Sequence, residues 1–251
     1  MNKIKKLFRE AVLLERSIPG IVSALFILSI IAMNLLANKS ISLPFDWMAL
    51  DCGIIFSWLI FLLMDMVTKR FGPRAATMLS VIALIINLFM ALMLFIGSVI
   101  PGLWGESFVD AGGDLINTAL DNTFRGTWYV LLGSSVAFIC SSVVNNEMNW
   151  LVGKWLSKKK DVNFGIFAVR SYVSTFIGQF VDNMVFALIV SHNFFGWTMT
   201  QCVVCALTGA VIELICEVVF SPIGYRISKR WEKNNVGKEY IDHIKAQGGR
   251  I

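Results

Sequence analysis

The apolar positions of this chain gather into long runs of Ile, Leu, Phe and Met, not into the short alternating segments of an outer-membrane barrel. A run of about 20 such residues is what a helix needs to cross a bilayer core of about 30 Å. Runs of this kind cover roughly residues 21–37, 49–64, 78–99, 128–148, 166–190 and 200–221. The pattern predicts an all-α membrane protein, a bundle of six transmembrane helices. The first run follows a basic stretch, as a signal peptide would. It is longer than a typical signal core and has no small-x-small cleavage site before Lys39, so it reads as an uncleaved first helix. The chain divides into an N-terminal segment (1–20), a membrane domain (21–222) and a C-terminal tail (223–251).

Composition agrees with that pattern. Of 251 residues 56% are hydrophobic and 16% charged, against about 25% charged in an ordinary soluble domain. The basic residues report orientation, because cytoplasmic loops hold an excess of them. Nineteen of the 22 Lys and Arg fall on one side: before the first run, around Lys69 to Arg74, around Lys154 to Lys160, and in the tail. Lys39 and Arg125 fall on the other side, and Arg170 falls in or at the mouth of the fifth run. Both termini are therefore expected in the cytoplasm of a bacterial inner-membrane protein. Sidedness explains the net charge of +5, and no basic patch with interleaved aromatics suggests nucleic acid. The segment 100–127, with Glu106, Asp110, Asp114 and Asp121, reads as an acidic external loop or a partly helical cap. Cys52, Cys140, Cys202, Cys205 and Cys216 lie in apolar runs, where they read as packing residues; no metal or cofactor is called for. His192 and His243 read as solvated.

Polar side chains inside the runs carry the functional signal, since a charge at mid-membrane costs about 2.5–3.5 kcal/mol on the milder scales. The fourth run ends in Asn145, Asn146, Glu147 and Asn149. The fifth holds Arg170, Ser171, Ser174, Thr175, Gln179, Asp182 and Asn183, and the sixth holds Glu213 and Glu217. Helical spacing puts Gln179 and Asp182 on one side of their helix, and Glu213 and Glu217 on one face of theirs. Arg170 and Asp182 are about 18 Å apart along a helix and cannot pair. A cavity between the last three helices would collect Glu147, Gln179, Asp182, Asn183, Glu213 and Glu217. That such groups only tie helices together suits a lone Asn or Ser better than several carboxylates. Asp65 and Lys69, four apart, read equally as a surface pair or as part of a gate.

Three stretches resemble the vitamin uptake transporter family, whose best-known members import queuosine precursors in bacteria. They are Asn34-Leu35-Leu36-Ala37-Asn38-Lys39; Asp65-Met66-Val67-Thr68-Lys69-Arg70-Phe71-Gly72 with Arg74 and Ala75; and the segment from Arg170-Ser171-Tyr172 through Gly178-Gln179 to Asp182-Asn183. Lys69 stands where many members carry an acidic residue. The resemblance implies a six-helix fold similar to the substrate-binding subunits of energy-coupling-factor transporters. It also implies a purine-like ligand, with Asn38, Arg170, Gln179 and Asp182 in or near its site. A 7-deazaguanine offers two adjacent N–H donors that a carboxylate such as Asp182 or Glu213 accepts in bidentate fashion, and a carbonyl suited to Gln179, Asn183 or Arg170. Phe176, Phe180 or Phe186 would stack on its ring. The expected partners are that small molecule, the lipid bilayer and, in the alternative reading as a binding subunit, an ATPase module. An intramembrane enzyme using Glu213 and Glu217 finds no supporting motif: the chain has no H-E-x-x-H, G-x-S-x-G or P-loop.

Overall fold

The computed structural model describes residues 3–41, 43–105, 113–156 and 164–248, the side chains at 3, 4, 164, 166, 167 and 170 excepted. Two polar-faced helices close one end of the molecule, and long apolar helices make its body. The first, α1 (Lys3–Ser17), is amphipathic and turns by 109° into α2 (Gly20–Leu36). Pro19 sits at the bend in an extended conformation (ψ 123°); its ring fixes φ and its missing N–H suits the start of a helix. The segment before the first apolar run is thus a folded helix.

The side-chain amide of Asn38 donates to the Leu35 and Asn34 carbonyls at 3.2 and 3.4 Å, covering carbonyls that the end of α2 leaves without helical partners. A hairpin follows, β1 (Ser40–Ile41) against β2 (Leu50–Asp51), with Ser40 opposite Asp51. The second apolar run therefore becomes helical only at Ile54, and Asp51 lies outside the helix. From there α3 (Ile54–Phe71) meets α4 (Pro73–Val99) across a single residue, Gly72. Its φ of 86° is one that a side chain would oppose.

On α4, Ala76, Leu79, Ser80, Ala83 and Asn87 recur at three and four and are buried, while Val81, Ile85 and Phe89 on the other face are exposed. An apolar outer face over a small-residue inner face is the arrangement of a helix packed in lipid. The long α5 (Gly113–Leu156) starts well before the fourth predicted span. What reads in sequence as an external loop is therefore largely helical. The Trp104 backbone N–H donates to Asn117 at 2.8 Å and its indole to Asp121 at 2.7 Å; Glu106 and Asp110 lie outside the described residues.

Next, α6 (Phe164–Phe186) runs into a π-helical stretch (Ala187–His192) and a single turn, α7 (Asn193–Phe195). A capping box then opens α8 (Met199–Lys233): Thr198 Oγ1 accepts from the Gln201 N–H at 3.2 Å, and Gln201 Oε1 accepts from the Thr198 N–H at 2.9 Å. Finally α9 (Lys238–Ala246) packs against α1.

Four of these helical stretches are long and apolar enough to cross a membrane, or five if the bent α1–α2 pair makes one span. With 17 residues α2 is short, and α3 carries Asp65, Lys69 and Arg70 in its 18. The architecture is that of an all-α membrane protein, in which α6 packs against both α5 and α8, α4 against α5, and α3 against α8.

Candidate functional site

The pairing of α6 with α8 forms the site. Gly209 on α8 sits against the side chain of Asn183; a Cβ there would lie 2.6 Å from Asn183 Nδ2. One helical turn further, Glu213 is 1% exposed. It accepts a short hydrogen bond from Ser57 Oγ of α3 and one from Asn183 Nδ2 at 3.2 Å. With its amide nitrogen turned toward Glu213, the fully buried Gln179 donates to both carboxylate oxygens, at 3.3 and 2.7 Å. Three side-chain donors thus converge on Glu213, which satisfies the rule that a buried carboxylate needs partners. Asp182 has fewer: Ser141 Oγ of α5 donates to its Oδ1 at 2.6 Å. Gly178, one turn before Asp182 on α6, abuts Asn145 of α5, and a Cβ there would meet the Asn145 Cβ at 2.9 Å.

Asp182, Asn183 and Glu213 line a small cavity together with Asn34, Asp51, Ser57, Ser134, Phe186 and Cys205. Its volume is about 30 Å³, room for about two waters. Asp51 reaches it from the hairpin, with Oδ1 accepting from the Gly53 N–H at 2.7 Å. Burial pushes Asp51 up to about 6, against the pull of that hydrogen bond.

Of the residues singled out in sequence, the structure brings Gln179, Asp182, Asn183 and Glu213 together. It does not bring Glu147 or Asn38 to them. Glu147 is exposed on α5 and lines a larger, mostly apolar groove of about 1210 Å³ between α1, α4 and α5. Helical spacing explains this correction: Ser141, Asn145 and Asn149, at four-residue steps, are the buried positions there, and 147 points away from them. Asn38 finishes α2 and donates to Thr127 Oγ1 at 3.3 Å, while Asn34, one turn earlier, lines the cavity. Arg170 lies in α6, but its side chain is outside the described residues.

Glu217 is likewise not part of the cavity. It belongs to a second buried cluster nearer the other end of α6, where Ser171 Oγ bridges Glu217 at 2.6 Å and Asp65, and Asn149 Nδ2 reaches Asp65 and Ser174, both at 3.3 Å. Asp65 is thus buried and not on the surface, and Lys69 lies over the Tyr225 ring at 4.1 Å. Asp51, Asn34, Ser57 and Ser141 were not expected at the site. Asp51 has a visible signal, a carboxylate inside an apolar run; the serines have none. Cys202 and Cys205 are buried free thiols.

The sequence profile of a family described as "Putative vitamin uptake transporter" matches residues 51–227. The chain belongs to this family. The match begins at Asp51 in the hairpin and ends within α8, so every cavity-lining carboxylate of this vitamin uptake transporter lies inside it. Neither the curated proteins nor the solved structures contain a match to the chain.

Proposed function

We propose that this transporter imports a small purine-like molecule, specifically a queuosine precursor, 7-cyano- or 7-aminomethyl-7-deazaguanine. The observation that carries the reading is Asp182: a buried carboxylate in the cavity wall with a single side-chain donor among the described residues, beside an amide, Asn183. Such a pair has the complement of a guanine-type edge, since the carboxylate accepts two adjacent N–H groups and the amide donates to the neighbouring carbonyl. Phe186, in the same wall, is the aromatic placed to cover the ring. Adenine lacks that donor pair and would leave the carboxylate unpaired, a discrimination that reaches about 10⁴-fold in sites built on hydrogen bonds.

In this reading the bundle has six spans, α2, α3, α4, α5, α6 and α8, and resembles the substrate-binding subunits of energy-coupling-factor transporters. It lies in a bacterial inner membrane with both termini cytoplasmic, and a separate ATPase module is a candidate partner.

The test uses a bacterium unable to make queuosine precursors, supplied with precursor externally, and scores queuosine in its transfer RNA with and without this chain. Rescue competed by guanine-like but not adenine-like compounds is expected. Absence of rescue despite membrane expression, with and without an energy-coupling module, would overturn the choice of substrate.

A further inference from the structure

The cavity wall is rich in acceptors and poor in positive charge. Asp51, Asp182 and Glu213 all line it, from three different elements, and among its described lining residues there is no Lys, Arg or His. Arg170, on the same helix as Asp182, is about 18 Å away along the axis. An independent observation points the same way. Asn34 is 2% exposed and lines the cavity, and among the described residues its side-chain oxygen has no hydrogen-bond partner. An unpaired buried acceptor is costly, and here it stands beside carboxylates that also accept. Of the three carboxylates, Glu213 is held by Ser57, Asn183 and Gln179, and Asp182 by Ser141. Asp51 is held by backbone N–H groups, that of Gly53 and its own, with no side-chain donor among the described residues, and it is the least buried of the three, being carried by the hairpin at the cavity's edge.

We propose that this site selects a cationic ligand, with a primary ammonium group held by Asp51 and the Asn34 side-chain oxygen. The proposal rests on the reading of this cavity as the substrate site. An ammonium is a compact point charge with three donors and no acceptor, and it suits this wall of acceptors. A neutral ligand would leave the carboxylates' negative charge to be offset by protons alone, whereas a cation offsets it directly. Between the two deazaguanines, the amine would therefore be preferred to the nitrile, because only the amine is protonated at neutral pH.

The experiment measures binding of 7-aminomethyl- and 7-cyano-7-deazaguanine to the purified full chain in lipid nanodiscs, for the native protein and for Asp51→Asn. Asparagine keeps an oxygen for the Gly53 N–H and removes the charge. The native protein is expected to bind the amine about tenfold or more tightly than the nitrile, the scale of one charge-assisted hydrogen bond. Asp51→Asn should lose most of that ratio by weakening the amine, with a smaller effect on the nitrile. Nitrile binding then also reports that the variant is folded. Equal affinities in the native protein, or a preference that survives Asp51→Asn, would overturn the cation proposal and leave the deazaguanine reading standing. Binding of neither compound by the native protein would overturn both.

Discussion

At the scale of single residues, the two buried carboxylates of the site should behave differently when removed. Ser141 Oγ, which donates to Asp182, also lies 3.2 Å from the Phe138 carbonyl. In Asp182→Ala it turns back to that carbonyl, so ligand binding is expected to be lost with little change in thermal stability. Glu213→Ala instead removes the shared acceptor of three donors: Ser57 Oγ can turn to the Ile54 carbonyl at 3.3 Å and Asn183 is half-buried, but the fully buried Gln179 amide is stranded, at a cost of about 1–3 kcal/mol when no water replaces the partner. That variant should lose binding and also melt earlier. Thermal unfolding of both in detergent, with binding measured alongside, checks the contrast; equal melting would mean that Glu213 is not the organising acceptor.

Asp51 supplies a pH dependence. Its pKa is raised to about 6 by burial, and the groups facing it are Asp182, Glu213 and Cys205; Lys39, just before β1, is exposed. Acidification through about 6 protonates Asp51 and removes the charge that holds a cation, so affinity for the amine should fall below that pH. In Asp51→Asn the part of this dependence centred near 6 should disappear.

These four residues also mark what was legible in sequence. Asp182, Asn183, Gln179 and Glu213 are visible because a carboxylate or amide inside an apolar helix is costly wherever it points, and spacing fixes their shared faces. Asp51 carries the same signal, but apolar periodicity extends the second span across it, so its place at the cavity shows only in the hairpin pairing of Ser40 with Asp51, which removes it from the helix. Glu147 shows the opposite failure: its residue type fits the site, but its helical phase does not.

At the scale of elements, the later part of the second motif stretch makes contacts that hold the fold. Arg70 donates twice to the Val236 carbonyl, at 3.0 and 2.8 Å. Phe71 is buried against Trp231 and Tyr240, and Gly72 makes the turn into α4. The tail, which in sequence has no evident chemistry, is thus docked: α9 and α1 pack together, with Tyr240, Ile244 and Leu14 fully buried or nearly so. An ion pair joins α1 to the start of α4, Glu10 accepting from Arg74 at 2.5 Å. The amphipathic patterns of α1 and α9 were there to be read, but short polar segments beside long apolar runs do not announce what they pack on. Among the described residues the hydroxyl of Tyr240 is buried without a hydrogen-bond partner, as is Glu10 Oε1, and burial pushes the tyrosine's ionisation up to about 12. Tyr240→Phe keeps the ring and removes the unsatisfied group, so it should stabilise the protein by about 1 kcal/mol. That gain is a rise of about 2–4 °C in Tm for a chain of this size. Tyr240→Ala, which empties the space, should cost several times as much, on the order of 3–5 kcal/mol by analogy with other buried aromatics. A lower Tm for the phenylalanine variant would mean that the hydroxyl has a partner, such as an ordered water.

At the scale of the molecule, the cavity and the docked termini lie at opposite ends. Asn34 is near the C-terminal end of α2, Asp51 is in the hairpin, Asp182 and Phe186 close α6, and Cys205 is about 9 Å along α8 from its start. If both termini are cytoplasmic, this end faces outward, as a site that captures an imported molecule should. A cavity of about 30 Å³ cannot enclose a deazaguanine, so binding requires these helix ends to part. The π-helical stretch Ala187–His192 directly after Phe186 is a natural place for α6 to yield, because such turns have weaker, displaced hydrogen bonding and recur at functional sites. Cys205 reports on the opening, being 6% exposed and part of the wall. In a variant where Cys205 is the sole cysteine, a small membrane-impermeant thiol reagent should react slowly with it from the outside of intact cells. It should not react from the cytoplasmic side of inverted vesicles. Saturating ligand should slow the outside reaction several-fold by occupying the space beside the sulfur. Labelling from the cytoplasmic side alone would reverse the orientation. Outside labelling that ligand leaves unchanged would mean that the cavity between α6 and α8 is not where the substrate sits.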